Sequence, residues 1–167
     1  MQYRTIRAAA SAEFVEKRSR FIGYISPVTT QQDAIAFIDS IKSKHWDATH
    51  NVPAYIIREG NICRFSDDGE PQGTAGQPIL EVIKNKKLFD TIVVVTRYFG
   101  GIKLGAGGLV RAYSQGARDV IEKAGTAENV LSRVYGVKMP YDCYQPFLKF
   151  VDKIKKSVVS TDFSDSV

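Results

Sequence analysis

Cysteine is scarce. Only Cys63 and Cys143 occur in 167 residues, too few and too far apart for a disulfide framework or a cysteine-built metal site. Both read as ordinary buried thiols in different domains. Histidine is equally rare: His45 and His50 stand five apart, without the glutamate of a zinc-protease helix and with no third ligand in view, so no metal is expected. His50 reads as a hydrogen-bonded structural residue. There is no Gly-x-Ser-x-Gly elbow, and neither cysteine has a histidine next to it, so nucleophilic catalysis gains no positive support. No apolar run approaches the ~20 residues of a membrane span. Met1 to Ala10 carries Arg4 and Arg7 but no hydrophobic signal segment follows, so the expectation is a soluble cytoplasmic protein with no membrane association. Repeats and low-complexity stretches are also missing.

What is present suits a folded protein. Hydrophobic residues make up 44% and charged residues 25%, near the average for globular domains. The length allows one full domain and a small second one. The net charge of +5 is concentrated: Lys84, Lys86, Lys87, Arg97, Lys103 and Arg111 face a single acid, Asp90, between positions 84 and 111. That stretch alone accounts for the whole excess, which is the footprint of a partner rich in phosphate or carboxylate, or of a solvated positive face.

Patterning along the chain places the elements. The first 28 residues alternate apolar and polar in short runs, as antiparallel strands with one wet face do. Thr30 and Asp33 form a capping box before Ala34, Phe37, Ile38 and Ile41, one helical stripe. Val52–Arg58 and Ile62–Phe65 flank Gly60-Asn61, a hairpin turn. Pro78 opens a helix running through Leu88. Ile92–Thr96 is continuously apolar and β-branched, which predicts a strand buried on both faces. Leu109, Ala112, Tyr113, Gly116, Ala117, Val120, Ile121 and Ala124 trace a helical stripe closed by Gly125, a helix lying tight against a sheet. From Thr126 a β-α-β pattern follows: Val130–Val137 extended, a helix around Tyr144, Phe147, Leu148 and Val151, then Val158–Phe163 extended.

The most unusual segment links the buried strand to the long helix. Arg97 to Tyr113 holds Gly100, Gly101, Gly105, Gly107 and Gly108 among Arg97, Lys103 and Arg111. Glycines let backbone approach an anion closely, and a helix N-terminus supplies unpaired N–H donors and partial positive charge. The spacing fits neither a Walker loop nor a dinucleotide fingerprint. An anion-binding loop and a simple strand-to-helix reversal both remain open. Tyr98, Phe99 and Tyr113 interleave with the cations as aromatic platforms do in nucleic-acid sites, although Tyr113 lies on the apolar stripe and reads as core.

A second loop, Ser66 to Pro78, gathers Asp67, Asp68 and Glu70. Three carboxylates can hold a divalent cation, serve as acid and base, or face the basic loop and set its geometry. The spacing is not that of an EF-hand, and Asp-Gly with proline is ordinary turn chemistry.

At these two loops, Phe65-Ser66-Asp67-Asp68-Gly69-Glu70-Pro71-x-Gly73-Thr74-Ala75-Gly76-x-Pro78 and Val95-Thr96-Arg97-Tyr98-Phe99-Gly100-Gly101-Ile102-Lys103-Leu104-Gly105-x-Gly107-Gly108-Leu109-Val110-Arg111-Ala112-Tyr113, the sequence resembles the IMPACT family in its bacterial YigZ branch. Asp47-Ala48-Thr49-His50-Asn51 is similar as well. The resemblance implies an α+β fold: an N-terminal domain over 1–126 similar to the RNA-contacting two-layer sheet-and-helix domains of ribosomal proteins and elongation factors, then the first β-α-β, over 127–167, of a ferredoxin-like domain similar to the last domain of elongation factor G. Eukaryotic relatives regulate translation by binding a ribosome-associated activator of a stress kinase through an additional N-terminal domain that these residues do not include.

The expectation is a cytoplasmic, non-enzymatic, translation-associated protein that binds RNA or the ribosome, with a translation-related protein as a further partner and no cofactor or catalytic residue. Arg97, Tyr98, Lys103, Gly105, Gly107, Gly108 and Arg111 form its anion or nucleic-acid site; Asp67, Asp68, Glu70 and His50 support it. The rival reading is an enzyme acting on a small phosphorylated substrate, with the glycine loop on phosphate and Asp67, Asp68 or His50 as acid-base or metal groups. The oligomeric state is not encoded in any motif.

Overall fold

The computed structural model describes residues 2–130 and 132–163, within two compact units, Met1–Leu131 and Ser132–Val167. The first unit opens with strands β1 (Gln2–Ile6), β2 (Ala10–Glu16) and β3 (Ser19–Pro27). Helix α1 (Gln31–Lys44) begins at the capping box: the Asp33 N–H donates to Thr30 Oγ1 and the Thr30 N–H to Asp33 Oδ2, each at 3.1 Å. Strand β4 (His50–Ile57) turns through Gly60 and Asn61, at φ 71° and 51°, into β5 (Ile62–Phe65). Helix α2 (Gly76–Asn85), strand β6 (Thr91–Tyr98), helix α3 (Ala106–Ala124) and strand β7 (Thr126–Val130) complete the unit.

Five strands form an antiparallel sheet in the order β2-β3-β6-β4-β5. The central strand, β6, is buried from Thr91 to Arg97, which is why its sequence does not alternate. On one face Phe21, Val52, Val93 and Val95 pack with the stripe of α3 and with α2. On the other, Tyr55, Ile57, Ile92 and Val94 pack with Ala34 and Ile41 of α1. The class is α+β as expected, with helices on both faces of the sheet. Close approach of α3 depends on glycine: a Cβ on Gly23 of β3 would lie 2.6 Å from the Gly116 carbonyl oxygen.

The region after Thr126 differs from its sequence pattern. Strand β7 pairs antiparallel with β1, from Ile6↔Thr126 to Gln2↔Val130, and so belongs to the first unit. In the second unit the expected helix forms as α4 (Tyr141–Lys153), and Phe163 lies against Tyr141 and Tyr144 at 5.8 and 5.4 Å between ring centroids. The flanking segments 132–140 and 158–163 are not strands, because an extended segment becomes a strand only against a ladder partner. The cysteines also depart from expectation: both are free, but Cys63 is half-buried and Cys143 is exposed. Among the described residues no helix is long and apolar enough to cross a membrane.

Candidate functional site: a glycine loop anchored on a buried ion pair

The two loops singled out in the sequence meet at the end of β6. Arg97 points to the α3 side of the sheet, where it is only 5% exposed. Its Nη1 donates to Glu70 Oε1 at 2.7 Å and its Nη2 to Ser19 Oγ at 3.4 Å. The guanidinium also lies between the rings of Phe21 and Phe99, 5.5 and 5.4 Å from their centroids. Tyr113, fully buried on α3, donates its hydroxyl to the same Glu70 oxygen at 2.6 Å. Burial and that hydrogen bond push the Tyr113 phenol far above its ordinary pKa. Loop 66–75, β6 and α3 are thereby tied through one carboxylate.

Arg97 is therefore not a surface cation for phosphate. Its place is a correction with a plain physical reason: position 97 faces the covered side of the central strand, and a buried guanidinium persists only with a charged, hydrogen-bonded partner. Its role is positional. Ser19 Oγ, which takes the Arg97 Nη2, also accepts from the Gly100 N–H at 3.2 Å, and the Phe99 N–H donates to Thr49 Oγ1 at 3.0 Å. The first turn of the glycine loop is thus pinned to β3 and to the segment before β4.

The carboxylates of the acidic loop are committed to structure. Asp67 accepts from the backbone N–H groups of Gly73, Ala75 and Gly76 at 2.8, 3.1 and 2.8 Å, which fixes the loop that leads into α2. Asp68 accepts from the Asn51 N–H at 2.6 Å and from Lys42 Nζ at 3.0 Å. His50 Nδ1 donates to the Asp68 carbonyl oxygen at 2.7 Å, while its Nε2 lies 3.8 Å from Glu70. Of the acids, Glu70 makes the link to the basic segment and Asp67 and Asp68 do not. Among the described residues no group of three or more His, Cys, Asp or Glu is placed to hold a metal ion.

Tyr98 occupies the opposite face from Arg97. Its hydroxyl donates to Asp47 Oδ1 at 3.0 Å, so the oxygen accepts from His45 Nδ1–H at 2.8 Å, and His45 Nε2 accepts from the Tyr24 hydroxyl at 2.6 Å. With Nε2 accepting, the imidazole is neutral. Burial, with Lys44 and Arg20 nearby and Asp47 opposing, holds the His45 pKa below its usual value. Burial and Asp47 raise that of Tyr98.

The remaining expected residues lie at the surface. Lys103 and Arg111 are exposed, and Gly105, φ 73°, starts α3 with no side-chain cap and no acid in the first turn. A Cβ built at Gly101 or Gly105 meets nothing within 4 Å. The first N–H groups of α3, from Ala106 to Gly108, therefore start the helix without the side-chain acceptor a cap provides.

Two cations escape sequence reasoning. Lys17 and Arg18 form the two-residue turn between β2 and β3, with φ 45° and 63°. Asn and Gly occupy such a turn at lower cost. The turn touches the glycine loop, since a Cβ at Gly100 would fall 2.0 Å from the Arg18 carbonyl. The available signal was a pair of adjacent cations between two amphipathic runs, but only folding places it beside Gly100.

A model of the Impact N-terminal domain matches residues 17–121. The IMPACT family member YvyE of Bacillus subtilis is 50% identical over 140 residues, covering 83% of this chain and 64% of YvyE. The chain thus spans less than two thirds of that relative. The IMPACT family member YigZ of Escherichia coli is 32% identical over 160 residues, 93% of this chain and 78% of YigZ. A crystal structure described as that of a hypothetical protein superposes with TM-score 0.72 at 28% identity, over 98% of this chain and 81% of that one.

Proposed function

The chain belongs to the IMPACT family, and on that footing we propose that it takes part in regulating translation, as a non-enzymatic cytoplasmic protein that binds RNA or the ribosome, with a translation-related protein as a further partner. The observation that carries the binding surface is the uncapped N-terminus of α3, with Lys103 and Arg111 exposed at it and the Lys17-Arg18 turn packed behind its loop. Backbone donors at Gly105, Gly107 and Gly108 hold one phosphate there, and the cations meet its neighbours. Tyr98 offers only a half-buried ring at the rim.

Asp67, Asp68 and Glu70 are engaged by backbone N–H groups, Lys42, Arg97 and Tyr113, so they favour a role in shaping this surface over proton transfer. The test is a titration of labelled single-stranded RNA at several salt concentrations. Each phosphate contact on a single strand contributes about 0.7 to the log–log salt slope. Lys103→Ala with Arg111→Ala should weaken binding and flatten the slope by about 1.4, with the melting temperature unchanged. Identical slopes for variant and wild type would remove both side chains from the surface.

A further inference from the structure

Trp46, the one tryptophan of the sequence, is 83% exposed, and among the described residues no ring contact or side-chain hydrogen bond engages it. An indole left in water forgoes burial that a ring of this size usually takes. Its neighbours are nonetheless fixed. His45 is clamped between Tyr24 and Tyr98, its carbonyl oxygen accepts from Asn51 Nδ2 at 3.2 Å, and Asp47 accepts from Tyr98. With both adjacent residues tied to the sheet, the turn after α1 holds the indole outward.

Its surroundings suit a particular ligand. Lys44 Nζ lies 4.9 Å from the centroid of the Tyr24 ring, and the guanidinium of Arg20, which also pairs with Glu13 at 2.6 Å, lies 6.0 Å from that of Tyr98. Cations over the two tyrosine rings that hold His45, the residue next to the exposed indole, can take the phosphates on either side of a base stacked on the indole, and the Asp47 carboxylate can accept from a ribose 2′-hydroxyl. A pocket on a protein partner could also receive the indole, but that reading draws nothing from Lys44, which rides on the Tyr24 ring.

We propose that Trp46 is a stacking platform for an unpaired base of single-stranded RNA, with Lys44 and Arg20 contacting the flanking phosphates. The inference rests on the RNA reading above and adds to it the seat of a base. The lone indole supplies its own probe. Labelled oligouridine and oligoadenosine are titrated into the full chain, with binding read by anisotropy of the label and stacking by quenching of Trp46 emission. Quenching should saturate together with anisotropy. Trp46→Ala should weaken binding about tenfold, the effect of losing one stacked base, and Trp46→Phe should recover most of it. Binding seen by anisotropy with unchanged emission and an unaffected Trp46→Ala variant would overturn the platform while leaving the RNA reading intact. No binding of either oligomer would overturn both. A blue shift of the emission with rising protein concentration, without RNA, would assign the ring to a second copy of the chain instead.

Discussion

At Arg97 and Glu70, residue type and local motif point one way and burial points another. The cation sits at the head of a glycine-rich basic segment, yet its charge is consumed by Glu70 at 2.7 Å in a nearly dry site. Removing one partner of such a pair leaves an uncompensated buried charge, so Glu70→Ala should cost about 3–5 kcal/mol in urea denaturation. Lys103→Ala, at an exposed position, should cost less than about 0.5 kcal/mol. Similar losses for the two variants would show that Arg97 and Lys103 are not distinguished by burial. His45 gives a second prediction. Its folded pKa is depressed, so between that value and the unfolded value of ~6.5 the unfolded chain binds more protons. The stability from neutral His45 is full above about pH 6.5 and is lost as pH falls through the folded pKa. The melting temperature should therefore drop from pH 7 toward pH 5, and His45→Gln should flatten that dependence. A carboxylate of the acidic loop facing the basic one was among the sequence readings, but the choice of Glu70 and the burial of Arg97 were not legible along the chain, nor was the role of His45, because partners at 70 and 113, or at 24 and 98, are set by strand register and helix packing.

Elements whose signals are local were legible. The Thr30–Asp33 capping box, the stripe of α3, the Gly60-Asn61 turn and the apolar run of β6 all form as their spacing predicts. Strands at the end of the chain were not: Thr126–Val130 finds β1 across the first unit, whereas 158–163, equally suited by composition, finds no partner among the described residues. Helix–sheet contact at this scale rests on Gly23 and Gly116. A methyl at Gly23 meets the Gly116 carbonyl at 2.6 Å and Val120 at 3.2 Å. Gly23→Ala should accordingly lower stability by about 1–3 kcal/mol, measured by thermal or urea unfolding. An unchanged midpoint would mean that α3 can lift from the sheet at little cost. The basic loop is carried on the same contact, since α3 supplies both Tyr113 to the ion pair and the helix N-terminus to the surface.

At the scale of the whole molecule, every buried hydrophobic residue among the described residues lies between Ile6 and Ala124. The second unit has a helix with no buried residue. A chain ending at Leu131 holds all of that buried core and should unfold in one cooperative transition in calorimetry, whereas a broad, gradual transition would show that these residues are not a folding unit by themselves. Composition, periodicity and the two glycine- and acid-bearing motifs were enough to read the α+β class, most helices, the central strand and the family, since each depends on a few residues close in sequence. The sorting of the cations was not written locally. Arg97 became an internal anchor because β6 ends under α3, while Lys103, Lys17 and Arg18 reached solvent on the loop and turn that meet at Gly100, and Arg111 on α3. Which charges are spent inside and which are left for a partner is settled by long-range pairing, where burial makes an unpaired charge too costly to keep.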